Sequence, residues 1–208
     1  MVNGSSFHGR RSLYFNCFLA AVKGDLYGIW TVWEKYDPRT ALENPERDAM
    51  QAQIAAKLEE ERQRRKLTNR DFVALIKRFA SEKEFSYRTY FLTMRQEQNL
   101  TLATVALFAR ALEISVAELL LPAARLEPWM KRLDLQQIKD NIARSVDGYR
   151  KRKNLMKKDV ADLIGISVVT YYKIEQAQQN LTLAIIGLIA SRLGIPTAAL
   201  LLGRVPKR

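Results

Sequence analysis

The pentapeptide NLTLA occurs twice in this chain, at residues 99–103 and again at 180–184, 81 positions later. Working outward at that offset lays Phe85–Pro122 on Ile166–Gly203 without a gap, and 17 of the 38 pairs are identical. The identities include Ser86 with Ser167, Thr89 with Thr170, Tyr90 with Tyr171, Leu107 with Leu188, Leu112 with Leu193, and Leu119-Leu120-Leu121 with Leu200-Leu201-Leu202. Upstream, KLTNRDFVALI (66–76) matches NLMKKDVADLI (154–164) at an offset of 88, so the first copy carries seven extra residues between Lys77 and Glu84. Register held over such a length marks a duplicated module. The chain reads as a tandem repeat whose first copy is the more altered.

Both copies have the periodicity of helices. Asn44-Pro45-Glu46 is a helix start: Asn caps, Pro supplies the first helical φ, and early acids suit the positive end of the dipole. Met50, Ile54, Leu58 and Arg62 then recur at four-residue spacing on one face, and Leu135, Ile138, Ile142, Val146 and Tyr149 do the same after Asp134. Pro122 and Glu127-Pro128 punctuate the interval between the copies. Four shorter helices follow in each copy, clearest in the second: Lys157 to Ile164, Ser167 to Gln176, Thr182 to Leu193 and Thr197 to Leu202. Gly165 falls where the first two of these meet, a place for a left-handed residue, and Ser167 caps the next helix. A short helix, a glycine turn and a Ser-capped second helix make a helix-turn-helix, whose second helix fits a major groove.

The stretch LMKKDVADLIGISVVTYYKIEQAQQNLTLAIIGLIASRLGIPTAALL (155–201) resembles the DNA-binding domain of the Cro and phage-repressor type, the Xre family, almost position by position. The likeness spans about Ile142 to Gly203. It implies a mainly α fold of two tandem five-helix, lambda-repressor-like bundles, arranged as an N-terminal extension (1–44), a divergent first helix-turn-helix unit (45–122), a linker (123–134) and a better-matching second unit with a basic tail (135–208). The resemblance makes Ser167 to Gln176 the recognition helix, with Val168, Val169, Tyr172 and Lys173 on DNA bases. The spacing of these residues, opposite Tyr171 and Ile174, agrees. Lys173 has guanine O6 or N7 as its natural acceptor, and Val168 or Val169 would pack on thymine methyls.

Eight basic residues between Arg144 and Lys173 concentrate positive charge on the motif, against Asp147, Asp159 and Asp162. Lys153, Lys157, Lys158, Gln179 and Asn180 are the expected phosphate contacts. Gly165 and Ser167 support the turn. In similar repressors the positions of Arg150 and Glu175 form a semi-buried ion pair, which the resemblance implies here. The first copy keeps Arg62 but has Met94 in place of the acid. Its third helix, Ser86 to Arg95, would present Tyr87, Arg88, Phe91 and Leu92, a set that suits a dimer or partner surface better than wet phosphate.

Composition narrows the function further. The formal charge is +12 and the pI near 9.9, which favours a polyanionic partner. One cysteine, Cys17, and one histidine, His8, argue against a disulfide framework or a His- or Cys-based metal site, and no catalytic constellation stands out. The apolar stretch 12–36 is interrupted by Lys23 and Asp25, too early for a membrane span, and reads as two strands around Lys23-Gly24-Asp25 or as a helix. The expectation is a cytoplasmic, nucleoid-associated repressor from a phage, plasmid or other mobile element. It would bind double-stranded DNA as a homodimer, without enzymatic activity, metal or cofactor. The rival is a protein-binding modulator, an antiactivator or antitoxin, that captures a partner through the first repeat or the N-terminal extension.

Overall fold

A computed structural model of the chain describes residues 44–80, 85–122 and 126–203. The chain divides into two units, residues 1–43 and 44–208, and the strands or helix expected over 12–36 lie outside the described residues. The second unit is helical: α1 (Pro45–Arg64), α2 (Asn69–Lys77), α3 (Tyr87–Met94), α4 (Leu102–Leu112), α5 (Val116–Leu120), α6 (Leu135–Arg152), α7 (Lys157–Ile164), α8 (Val168–Glu175), α9 (Leu183–Leu193) and α10 (Thr197–Leu202). A 3-10 turn, Met130–Arg132, lies between the two sets of five. It buries Met130, and Lys131 reaches Glu118 on α5 at 3.2 Å.

Local chemistry sets the helix starts. Asn44 Oδ1 accepts from the Arg47 amide at 2.9 Å, Ser86 Oγ from Thr89 at 3.1 Å and Ser167 Oγ from Thr170 at 3.0 Å. Ser115 with Glu118, and Asp134 with Gln137, form capping boxes. The apolar stripes face one shared core, in which Met50, Ile54, Leu58, Ile138, Ile142 and Val146 are all buried. Backbone geometry also recurs at matching positions. Left-handed residues end the corresponding helices at Lys66 (φ 52°) and Asn154 (51°), Gln96 (59°) and Ala177 (55°), and Glu113 (58°) and Gly194 (61°).

Two helix ends differ: α10 stops at left-handed Gly203 (φ 70°) where α5 runs into extended Leu121, and the turn before the third helix is unlike in the two halves. Gly165 (φ 84°) stops α7 in the second half. In the first half, the described residues after α2 continue as tight turns: the Arg78, Phe79 and Ala80 amides bond back to Leu75, Ile76 and Lys77.

The repeated NLTLA segments meet each other. Thr101 and Thr182 form an isolated antiparallel bridge, and the bonds around it are reciprocal. Leu102 N–H donates to Leu181 O at 2.8 Å, and Leu183 N–H to Leu100 O at 2.8 Å. Ala103 N–H donates to Asn180 Oδ1 at 3.2 Å, and Ala184 N–H to Asn99 Oδ1 at 3.1 Å. Thr101 and Thr182 cap their own helices through Thr104 N–H and Ile185 N–H. The first amides of a helix have no intrahelical acceptor; here α4 and α9 each have two of theirs satisfied by the other half of the chain. Leu100, Leu102, Leu181 and Leu183 are buried around the bridge. Residue i meeting j while j meets i is the signature of a two-fold contact.

The flanks break this symmetry. On one side the start of α1 lies against α9: Asn44 Nδ2 donates to Ala184 O at 2.9 Å, and the Thr197 hydroxyl donates to Glu46. Gly187 permits the approach, because a Cβ there would collide with the Asn44 side chain and lie 2.9 Å from the Arg47 amide nitrogen. Its counterpart on α4 is Ala106. There, an open cleft of about 470 Å³ separates α4 from the start of α6, lined by Ala106, Leu107, Arg110, Leu135 and Asn180 among others.

Candidate nucleic-acid interface

α7 and α8 meet at Gly165, and Ser167 sets the first turn of α8. Their inner faces are fixed by burial of Val160, Ala161, Ile164, Tyr171 and Ile174. Burial pushes the Tyr171 hydroxyl above the ordinary tyrosine value. The outer face of α8 then carries Val169, 64% exposed, Tyr172, 44% exposed, and Lys173. Val168 is different from the other residues expected to face DNA: it is half-buried and packs on the edge of the core. At the first turn of a helix one side chain still points back toward the preceding segment, so the outer surface consists of the other three.

A charged tie links the two helices. Lys157 Nζ, at the start of α7, lies 2.6 Å from Glu175 Oε2 at the end of α8 and 4.9 Å from the Tyr172 ring centroid. The first half links its two helices through a different residue on the third: Tyr90, the counterpart of Tyr171, donates its hydroxyl hydrogen to Asn69 Oδ1 at 3.1 Å, and Asn69 is the counterpart of Lys157.

The expected Arg150–Glu175 pair is replaced by other partners. Arg150 bonds Asp147 at 2.8 Å and the Leu155 carbonyl at 3.4 Å. The first half repeats this pattern, Arg62 bonding Glu59 at 2.6 Å and the Leu67 carbonyl at 2.7 Å. The long arginine arm reaches an acid one turn back on its own helix, which costs less conformational freedom than spanning to another. The absence of a Glu175 equivalent therefore leaves the first half's arginine no less anchored. Lys151, then Arg150, holds the Asp147 carboxyl below the ordinary aspartate value, and Arg62 does the same for Glu59.

The residues expected to hold phosphate divide into two groups. Lys153 and Lys158 are exposed at the two ends of the α6–α7 connection. Lys157 is committed to Glu175, Gln179 is half-buried with its amide bonded to the Lys173 carbonyl at 3.2 Å, and Asn180 sits in the junction between halves. On α3, Tyr87 is 50% and Phe91 49% exposed, Arg88 is exposed and Leu92 is half-buried. Arg95 lies over the Phe91 ring at 5.4 Å and pairs with Glu97 at 2.8 Å. Sequence reasoning missed the cross-capping role of Asn99 and Asn180, for which the repeated NLTLA was the available signal, and the Lys157–Glu175 tie, for which there was none.

Residues 149–200 match the helix-turn-helix family. The match covers the end of α6, all of α7, α8 and α9, and the start of α10. Over that segment the second half is similar to helix-turn-helix domains, a family of DNA-binding regulators. No curated protein and no solved structure matches the chain. Among the described residues no helix is long and apolar enough to cross a membrane, and no group of three or more His, Cys, Asp or Glu is placed to hold a metal ion.

Proposed function

We propose that the chain is a sequence-specific duplex-DNA-binding transcription regulator that represses by occupying a promoter. One observation carries this reading: the helix-turn-helix match falls on the helix whose outer face is Val169, Tyr172 and Lys173, flanked by exposed Lys153 and Lys158. Lys173 donates to guanine, Val169 packs on a thymine methyl, and Tyr172, steadied by Lys157, lies between bases and backbone. Lys153 and Lys158 grip phosphate and set register without reading sequence. The first half is a second unit of the same five-helix design, with a different outer face on α3.

Capture of a partner protein is a second reading, favoured by the exposed Tyr87 and Phe91 side by side on α3. Duplex-binding titrations across salt concentration discriminate between the two. Lys158→Ala is expected to weaken all duplexes and lower the slope of log affinity against log salt by about one. Lys173→Ala is expected to lose about 1–3 kcal/mol of base discrimination with less effect on non-specific duplex. Unchanged binding by both variants removes α8 from any DNA interface and leaves partner capture as the better reading.

A further inference from the structure

We propose that one chain, without a second copy, occupies a complete bipartite DNA site: the reciprocal NLTLA junction makes the two halves an internal dimer whose two reading helices are α3 and α8. The inference rests on the DNA-binding reading above and extends it to stoichiometry and to the form of the site.

The junction is self-complementary. Each Asn accepts from the second amide of the opposite helix, each inner Leu amide donates to the opposite Leu carbonyl, and each Thr closes its own helix. A segment that pairs with an identical segment about a two-fold is what a symmetric homodimer needs at its axis. In this chain both partners are supplied in cis, and four buried leucines seal the contact. The groups a second copy would need for the same reciprocal pairing, the Leu102, Ala103, Leu183 and Ala184 amides and the Leu100 and Leu181 carbonyls, are already bonded within the chain.

The junction also follows closely on the reading helices. Residues 176–179 separate the end of α8 from its NLTLA, and 95–98 separate the end of α3 from its own. Equivalent left-handed residues, Gln96 and Ala177, turn the chain in both connections. A two-fold through the NLTLA segments would relate α3 and α8 through these equivalent connections, while the flanking helices α1 and α6 depart from it. Helix-turn-helix pairs align their two-fold with that of the duplex and place half-sites about 10 base pairs apart, centre to centre.

The two half-sites must differ. Arg88 stands where Val169 does, Phe91 where Tyr172 does and Leu92 where Lys173 does. An exposed arginine at a base-facing position selects guanine, whereas valine selects the thymine methyl. The basic cluster that grips phosphate beside α8 has a counterpart beside α3: Arg64, Arg65 and Arg70 match Arg152, Lys153 and Lys158. Arg70 is exposed, as is Lys158; Arg64 pairs with Glu61, and Arg65 bonds the Leu112 carbonyl. The first half is thus equipped as a weaker, different reader of one asymmetric site.

The test uses the full chain in two steps. A selection from random duplexes at physiological salt identifies the preferred site, and native mass measurement of the complex on that duplex counts chains. The expected result is one chain per duplex on a non-palindromic site with two unlike half-sites about one helical turn apart. Arg88→Ala is expected to relax preference in one half-site by about ten-fold, and Lys173→Ala in the other half-site by a similar factor. Two chains on a palindrome, or enrichment of the α8 half-site alone with Arg88→Ala silent, overturns the inference and leaves the DNA-binding reading intact. The second pattern would assign the α3 face to a protein partner. Failure to enrich any duplex overturns both.

Discussion

The two halves agree where they touch each other and disagree where they face outward. At the junction, Asn99, Leu100, Thr101, Leu102 and Ala103 repeat Asn180, Leu181, Thr182, Leu183 and Ala184 residue for residue, and the hydrogen bonds repeat with them. On the third helix, Arg88, Phe91 and Leu92 of one half face Val169, Tyr172 and Lys173 of the other, with no identity. A residue in a two-fold contact must fit its own counterpart, so one change disturbs two interactions. A residue on an outward face answers only to its own ligand. The longest unbroken run of identity therefore falls at the contact, and the outward face of the third helix is where the halves diverge.

The same substitution at equivalent positions separates the two flanks most strongly. Gly187→Val drives side-chain atoms into Asn44 and the backbone of Arg47 and is expected to destabilise by about 1–3 kcal/mol. Ala106→Val opens onto the cleft and should cost about 0.5 kcal/mol, the propensity of a β-branched residue in a helix. Urea midpoints compare the two; equal losses would mean that α1 does not sit against α9 as described.

Next in size are the caps. Asn99→Ala and Asn180→Ala each leave a first-turn amide of the opposite helix without its side-chain acceptor and should each cost about 0.5–1 kcal/mol. A reciprocal junction makes the two losses match. A loss at one asparagine and none at the other would replace the two-fold with an accidental contact.

The smallest effect is in acid. Asp147 and Glu59 titrate below their ordinary values in the folded chain, so each contributes stability that is fully present above the unfolded value. That contribution is lost as the pH falls through the folded value, in a window below about pH 4. Asp147→Asn and Glu59→Gln should flatten the acid limb of a plot of thermal midpoint against pH to a similar, modest degree. Both pairs are partly exposed, and surface pairs contribute little.

Much of this architecture was legible because capping is local. Asn44, Ser86, Asp134, Ser167 and Thr182 each announce a helix within three residues of themselves, and the structure places the helix starts there. The periodic apolar faces of α1 and α6 were legible for the same reason. Long-range partners were not. Asn180 follows a reading helix and so looked like a phosphate ligand; its actual acceptor role is toward Ala103, 77 positions away in sequence. Arg150 has two acids within reach, Asp147 and Glu175, and periodicity alone does not choose between them. Gly187 gave no sign of its role, because a glycine inside a helix signals close approach only once the approaching element is known.

Amide hydrogen exchange at the start of α4 and α9 reads the reciprocal junction directly. At an ordinary helix start the first two amides bond only water and exchange quickly. The Leu102, Ala103, Leu183 and Ala184 amides are expected to be protected, with Asn180→Ala exposing Ala103 and Asn99→Ala exposing Ala184. Fast exchange at these four amides in the unaltered chain would contradict the junction.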